Sequence, residues 1–114
     1  MANAAPYVVN GEELETDDER FLLEANFSDD VVPVIAEAEG ITLSDLHWQV
    51  IRFMRERYQE DGHTPNFRNM LALLNEEDDS QDWKKVLYEL FPNQPNRQAS
   101  KVAGLPKPYG KGGY

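Results

Sequence analysis

Near the start of the chain a short apolar run, Tyr7-Val8-Val9, is followed by Asn10-Gly11 and then by Glu12-Glu13-Leu14-Glu15-Thr16. Asn-Gly tolerates positive φ at both central positions of a two-residue turn, so the pattern predicts two short strands joined as a β-hairpin. Asp17-Asp18-Glu19 predicts a second turn, and Phe21-Leu22-Leu23 either adds a third short strand or packs the hairpin onto the body. From Ser28-Asp29-Asp30 onward the apolar period changes to that of a helix. Val31, Val34, Ile35 and Ala38 share one face, and Gly40 is the stop.

Four further helices follow. Ser44 is an N-cap with Asp45 behind it, and Leu43 is spaced to staple against Trp48. The stripe Leu46, Val50, Phe53 or Met54, and Tyr58 then runs to Asp61-Gly62 and marks this second helix as the central one. Thr64 is the expected cap of a third helix, with Pro65 at its first position and Phe67, Met70, Leu71 and Leu74 inward. Four acids, Glu76 to Asp79, oppose a helix C-terminus, so that helix is expected to end near Asn75. Ser80 is the expected cap of a fourth helix with Trp83, Val86, Leu87 and Leu90 inward, closed by Phe91-Pro92. Pro95 opens a last short helix through about Val102, with Gly104 as its left-handed terminator. The stretch after it alternates prolines, glycines and lysines, which predicts one domain over residues 1–104 and a flexible arm over 105–114.

Composition agrees with a packed single domain: 114 residues, 40% hydrophobic and 11% aromatic. No apolar run approaches the ~18 residues of a membrane span, and the opening Met1-Ala2-Asn3-Ala4-Ala5-Pro6 lacks a signal core. A cytoplasmic location without membrane association is therefore expected. Charge changes the picture more. All 21 acidic residues lie at or before Glu89, where only seven basic ones accompany them, whereas the last 25 residues carry Arg97, Lys101, Lys107 and Lys111 and no acid. An acidic body repels phosphate, while the basic tail can fold back on the body or meet an acidic partner.

Candidate chemistry is sparse. There is no cysteine, and His47 and His63 lie in different elements without metal-ligand spacing. The run from Glu76 to Asp82 has the acids of a calcium loop but not its turn glycine. No phosphate loop or nucleophile elbow is present, so neither metal nor cofactor is expected. Helices two and three have the form of a helix-turn-helix with Asn66, Arg68 and Asn69 toward a groove, but four acids follow them, and nucleic acid is disfavoured as a partner.

Leu87-Tyr88-Glu89-Leu90-Phe91-Pro92, then Pro95, Gln98-Ala99 and Ala103-Gly104-Leu105-Pro106-Lys107-Pro108, resembles the C-terminal signature of the DsrC/TusE family of sulfur-relay proteins. His47-Trp48, the stretch from Arg52-Phe53 to Tyr58, Pro65 with Arg68, and the Asn-Gly hairpin extend the resemblance over nearly the whole chain. It implies an α+β fold in which a small N-terminal β-meander or hairpin packs on about five mostly orthogonal helices, with a flexible C-terminal arm. It also implies a cysteine near the end of the arm and, in sulfite-reductase-associated members, another eleven positions earlier. Counted from the Leu-Pro-Lys-Pro run, those positions are Lys111 and Ser100.

Neither residue can form a persulfide, because the attacking and holding group is a thiolate. A further departure is the acidic loop at Glu76 to Asp79, where family members tend to carry lysine; reversed charge there is expected to alter docking. The resulting expectation is a non-catalytic regulatory or partner-binding protein linked to sulfur metabolism, and not an enzyme. Gly104, Leu105, Pro106, Lys107, Pro108 and Tyr109 would meet a protein partner, either a sulfur-metabolism enzyme or a cysteine-bearing relative. The alternatives are a sulfur-relay protein of the sulfurtransferase type in a cysteine-less form, and a helix-turn-helix-like DNA-associated regulator.

Overall fold

A computed structural model describes residues 5–108. The hairpin forms as expected: β1 (Tyr7–Val9) pairs antiparallel with β2 (Glu12–Leu14), Val9 opposite Glu12 and Tyr7 opposite Leu14. Asn10 and Gly11 take φ of 53° and 82°, the left-handed pair that this turn demands. The third segment contributes only a bridge, Thr16 opposite Leu22. Phe21 instead turns into the body and is buried, its ring beneath the Arg97 guanidinium and the Lys101 ammonium. A hydrogen bond from Asn10 Nδ2 to Asp30 Oδ2 (2.8 Å) ties the turn to the start of the first helix.

That helix, α1 (Val31–Ala38), buries Val31, Val32, Ile35 and Ala36. Its inward face is rotated from the expected one: Ala38 is exposed and Val34 only half-buried. The cause is that β1 and the last helix pack on it from two sides. The second helix, α2 (Asp45–Asp61), is capped by Ser44 and ended by Gly62 at φ 78°, both as read from the sequence. Its capping box uses His47 in the position usually held by Glu or Gln.

The third helix, α3 (Phe67–Glu77), departs from expectation at both ends. Its cap is Asn66, whose side chain accepts from the Asn69 amide, while Thr64 is buried. It runs on through Glu77, because Trp83 Nε1 reaches back to the Asp78 carbonyl at 2.7 Å and occupies an acceptor at the helix end. The fourth helix, α4 (Trp83–Leu90), is capped by Asp82, not by Ser80, whose hydroxyl and amide both turn to Asp78. Held by Ser80 and then by Gln49, the Asp78 carboxyl sits below the usual aspartate range. α3 packs mainly on α4 and on the last helix. Asn66 is spent on its own helix, which removes it from the groove-reading role of a helix-turn-helix.

The last helix, α5 (Pro95–Val102), packs against each of the other four and takes the central place expected for α2. Its small Ala99 and Ser100 let neighbours approach closely, and both have no exposed surface. Gln98 is buried with its amide satisfied, Oε1 accepting from the Asn93 amide and Nε2 donating to Glu39, each at 3.0 Å. Polar residues of this kind read as surface in a sequence, and here they are core.

Candidate functional site

The family signature and the Ser100 position converge on the junction between α5 and the segment that follows it. Ala103 caps the helix and Gly104 follows at φ 83°. The Gly104 amide donates to the Lys101 carbonyl (3.0 Å) and the Leu105 amide to the Ser100 carbonyl (3.1 Å), the paired bonds of a Schellman termination. Glycine is required here both by the positive φ and by the close approach of Asn26. A Cβ there would lie 2.5 Å from the Asn26 carbonyl oxygen, and the Asn26 amide donates to the Gly104 carbonyl at 2.8 Å.

Arg55 holds the same junction from α2. Its guanidinium donates through Nε to the Ala103 carbonyl (3.0 Å) and through its two terminal nitrogens to Asp29 Oδ1 (2.6 Å) and the Ser28 carbonyl (2.8 Å). The Arg55 side chain is buried while Asp29 is exposed, so one planar fork joins the enclosed end of α5 to the solvent-facing lead-in of α1. Sequence reasoning did not single out Arg55. The signal was available, since Arg55 stands four residues after Ile51 and next to Met54 on the mainly apolar face of α2.

Beyond Gly104 the expected arm begins on the body. Leu105 has no exposed surface, Pro108 is buried, and Lys107 is exposed. A cleft of about 150 Å³ lies between Pro106, Lys107 and Pro108 on one side and Tyr58, Gly62, His63 and Thr64 on the other. Lys107 Nζ meets Glu19 Oε1 at 3.1 Å, and Arg97 shares that carboxylate oxygen. Lys107 first, with Arg97, holds the Glu19 carboxyl below the ordinary glutamate value. On the neighbouring turn Lys101 pairs with Glu39 at 3.4 Å. The expectation that basic tail residues turn back on an acidic body is met at these pairs.

The two positions that correspond to family cysteines differ in what can be described. Ser100 is fully enclosed; its hydroxyl donates to the Asn96 carbonyl (2.8 Å) and lies 3.1 Å from the Thr64 hydroxyl. It is a structural crosslink between α5 and the wall of the arm cleft. Lys111 lies outside the described residues, as does Tyr109. The two histidines are separate: His47 is buried at the N-terminus of α2, and His63 lines the arm cleft. Among the described residues no group of three His, Asp or Glu side chains is arranged to hold a metal ion. No helix there is long and apolar enough to cross a membrane.

Comparison with known proteins gives a consistent result. The family model described as DsrC like protein matches residues 8–111. Sulfurtransferase TusE of Escherichia coli (strain K12) is 44% identical over 103 residues, covering 89% of this chain and 94% of that one. Sulfurtransferase TusE of Yersinia pseudotuberculosis is 41% identical over 100 residues, covering 86% and 93%. Among solved structures, Allochromatium vinosum DsrC superposes with a TM-score of 0.81 at 32% identity, over 96% of this chain and 98% of that one. The oxidized gamma-subunit of the dissimilatory sulfite reductase (DsrC) from Archaeoglobus fulgidus gives 0.81 at 28% identity, over 92% and 97%. The names of the relatives overturn the expectation that the chain is not an enzyme, because the proteins it is 44% identical to are sulfurtransferases. They favour the sulfur-relay alternative over the regulatory reading.

Proposed function

Because the chain belongs to the DsrC-like protein family, we propose that it is a sulfur-relay protein of the sulfurtransferase type in a cysteine-less form, acting within a complex whose other chains supply the thiols. A sulfane sulfur moves when a thiolate attacks the outer sulfur of a persulfide; one S–S bond forms, another breaks, and the first thiolate leaves. With no cysteine in the sequence, both thiolates come from partner proteins. Ser100 does not substitute for one, since a buried hydroxyl engaged with Asn96 and Thr64 is neither exposed nor able to form an S–S bond.

The observation that carries this reading is the fixed root of the arm. Gly104 and Leu105 are locked by the Schellman bonds and the Asn26 pairing, while Lys107 is exposed on the surface beside the cleft. An extended segment launched from a rigid anchor offers its side chains to a partner with less conformational freedom to lose than a free tail. In this reading Gly104, Leu105, Pro106, Lys107, Pro108 and Tyr109 form the partner-binding segment. Gly104 and Leu105 set its direction, and Lys107, which shares the single Glu19 carboxylate with Arg97 so that the trio keeps a net positive charge, offers that charge to the protein partner, a sulfur-metabolism enzyme or a cysteine-bearing family member.

The test combines the full chain with a cysteine-bearing family member carrying a persulfide, and with an acceptor protein thiol. Binding is read by size exclusion, and transfer by mass steps of one sulfur atom on the acceptor. The expected result is a complex, a changed transfer rate, and weakening of both by Lys107→Glu. Absence of a complex together with an unchanged rate would reject the proposal, as would accumulation of sulfur on this chain alone.

A further inference from the structure

On the face formed by the hairpin, a cleft of about 540 Å³ separates β2 from residues 22–26. Its rim carries Glu12, Glu13, Glu15 and Glu24, and no basic residue lines it. Among the described residues none of these four carboxylates takes part in an ion pair. Three cations of the body are committed elsewhere, Arg55 to Asp29, Arg97 to Glu19 and Lys101 to Glu39. The floor is apolar, built from Leu14, Leu22 and Leu23, and Leu23 is 54% exposed, a large aliphatic side chain left in water.

The backbone along one wall is open as well. In the two-residue hairpin Val9 opposite Glu12 is the hydrogen-bonded pair next to the turn, so Val8 opposite Glu13 is the non-hydrogen-bonded pair. The N–H and C=O of Glu13 therefore point away from β1, toward the side where the two-stranded sheet has no third strand. Further along, Leu23 N donates to Glu15 O (3.1 Å), so pairing between the walls begins at Glu15 and leaves the part of β2 before it unpaired.

We propose that this cleft is a docking site for an extended, lysine- or arginine-rich segment of a partner protein that adds as a strand to the free edge of β2. Each feature fits that occupant. The Glu13 backbone groups supply strand pairing, the four carboxylates take basic side chains, and the leucine floor takes the apolar side chains between them. Four uncompensated carboxylates repel phosphate and anionic lipid, which excludes nucleic acid and membrane surfaces from the same place. The site is on the hairpin, formed by residues other than those of the arm, and does not depend on the sulfur-relay reading.

The probe is a ten-residue peptide alternating lysine and valine, titrated into the full chain at two salt concentrations, with amide shifts followed by NMR. Binding is expected with the largest shift at Glu13, with at least tenfold weakening in Glu13→Lys/Glu24→Lys. Because the whole chain is acidic, Glu76→Lys/Glu77→Lys is the control; it removes the same charge and is expected to change affinity less than threefold. Circular dichroism checks that each variant is folded, and the isosteric Glu13→Gln/Glu24→Gln is expected to weaken binding in the same direction should the reversed pair unfold. A proline at the centre of the probe, which removes one strand donor, is expected to weaken binding further. Equal losses in the cleft and control variants would overturn the proposal, as would shifts centred on residues 76–79, self-association through the cleft without peptide binding, or no binding at low salt.

Discussion

Arg55 Nε donates to the Ala103 carbonyl oxygen at 3.0 Å, across 48 residues of sequence. The acceptor is the capping residue of α5, one position before the glycine from which the signature segment departs. Replacing Arg55 with Met keeps the aliphatic stem and leaves the carbonyls of Ala103 and Ser28 without this donor. The expected destabilisation is about 2–3 kcal/mol in urea unfolding, the magnitude for charged hydrogen bonds lost from a buried site. Arg55→Lys is expected to recover only part of it, because an ammonium cannot reproduce the planar fork. A change below ~0.5 kcal/mol for the Met variant, the size typical of a surface site, would remove Arg55 from the anchor.

Gly104 and Leu105 make a pair of predictions with different causes. Gly104→Ala introduces a Cβ at 2.5 Å from the Asn26 carbonyl oxygen in a backbone region hostile to side chains, and should cost about 2 kcal/mol or more. Leu105→Ala empties a site with no solvent exposure and should cost about 2–4 kcal/mol. Both are read by thermal or urea unfolding, and a Leu105 variant as stable as the parent would mean that this position is not packed.

The Glu19 carboxyl, held by Lys107 and then by Arg97, should titrate below the ordinary glutamate value of ~4.3. A depressed folded-state value means that the pairing contributes fully above the unfolded value and is lost as pH falls through the folded one. Contact between residue 107 and the body should therefore persist through the ordinary glutamate range and loosen only on further acidification, measured by carboxyl carbon shifts of Glu19 and amide shifts of Lys107. Lys107→Gln should move the Glu19 midpoint upward. A midpoint unaffected by that substitution would show that the arm does not rest on Glu19.

His47 receives the Ser44 N–H on Nδ1 at 3.0 Å, which puts its proton on Nε2 and aims it at the Leu90 carbonyl at 2.9 Å. This one ring closes the N-terminus of α2 and holds the end of α4, with Phe91 packed edge-on at 5.2 Å. His47→Ala should destabilise by about 2–3 kcal/mol through the unpaired carbonyl and the lost packing, and Ser44→Ala by about 1 kcal/mol through the cap alone. Double-mutant coupling between the two should exceed ~0.5 kcal/mol, since both serve one capping box. Additive effects would separate the cap from the tie to α4.

Local chemistry decided much of this protein without help from its tertiary structure. Asn10-Gly11 dictated the hairpin turn, Ser44 and Gly62 the two ends of α2, and Pro95 and Gly104 those of α5, because each constraint is satisfied within a few residues of backbone. The signature Gly-Leu-Pro-Lys-Pro pointed to the family for the same reason, being contiguous. What only the folded chain decided are contacts between groups far apart in sequence. Asn66 displaced Thr64 as the α3 cap because Thr64 was drawn to Ser100. Trp83 held α3 open to Glu77, and Arg55 found Ala103 and Asp29. Short α5, polar by composition, became the centre because its small side chains admit four neighbours and its amides find partners on other elements. A sequence presents each donor and each small residue without its partner, and burial of polar groups is favourable only when the partner is in place.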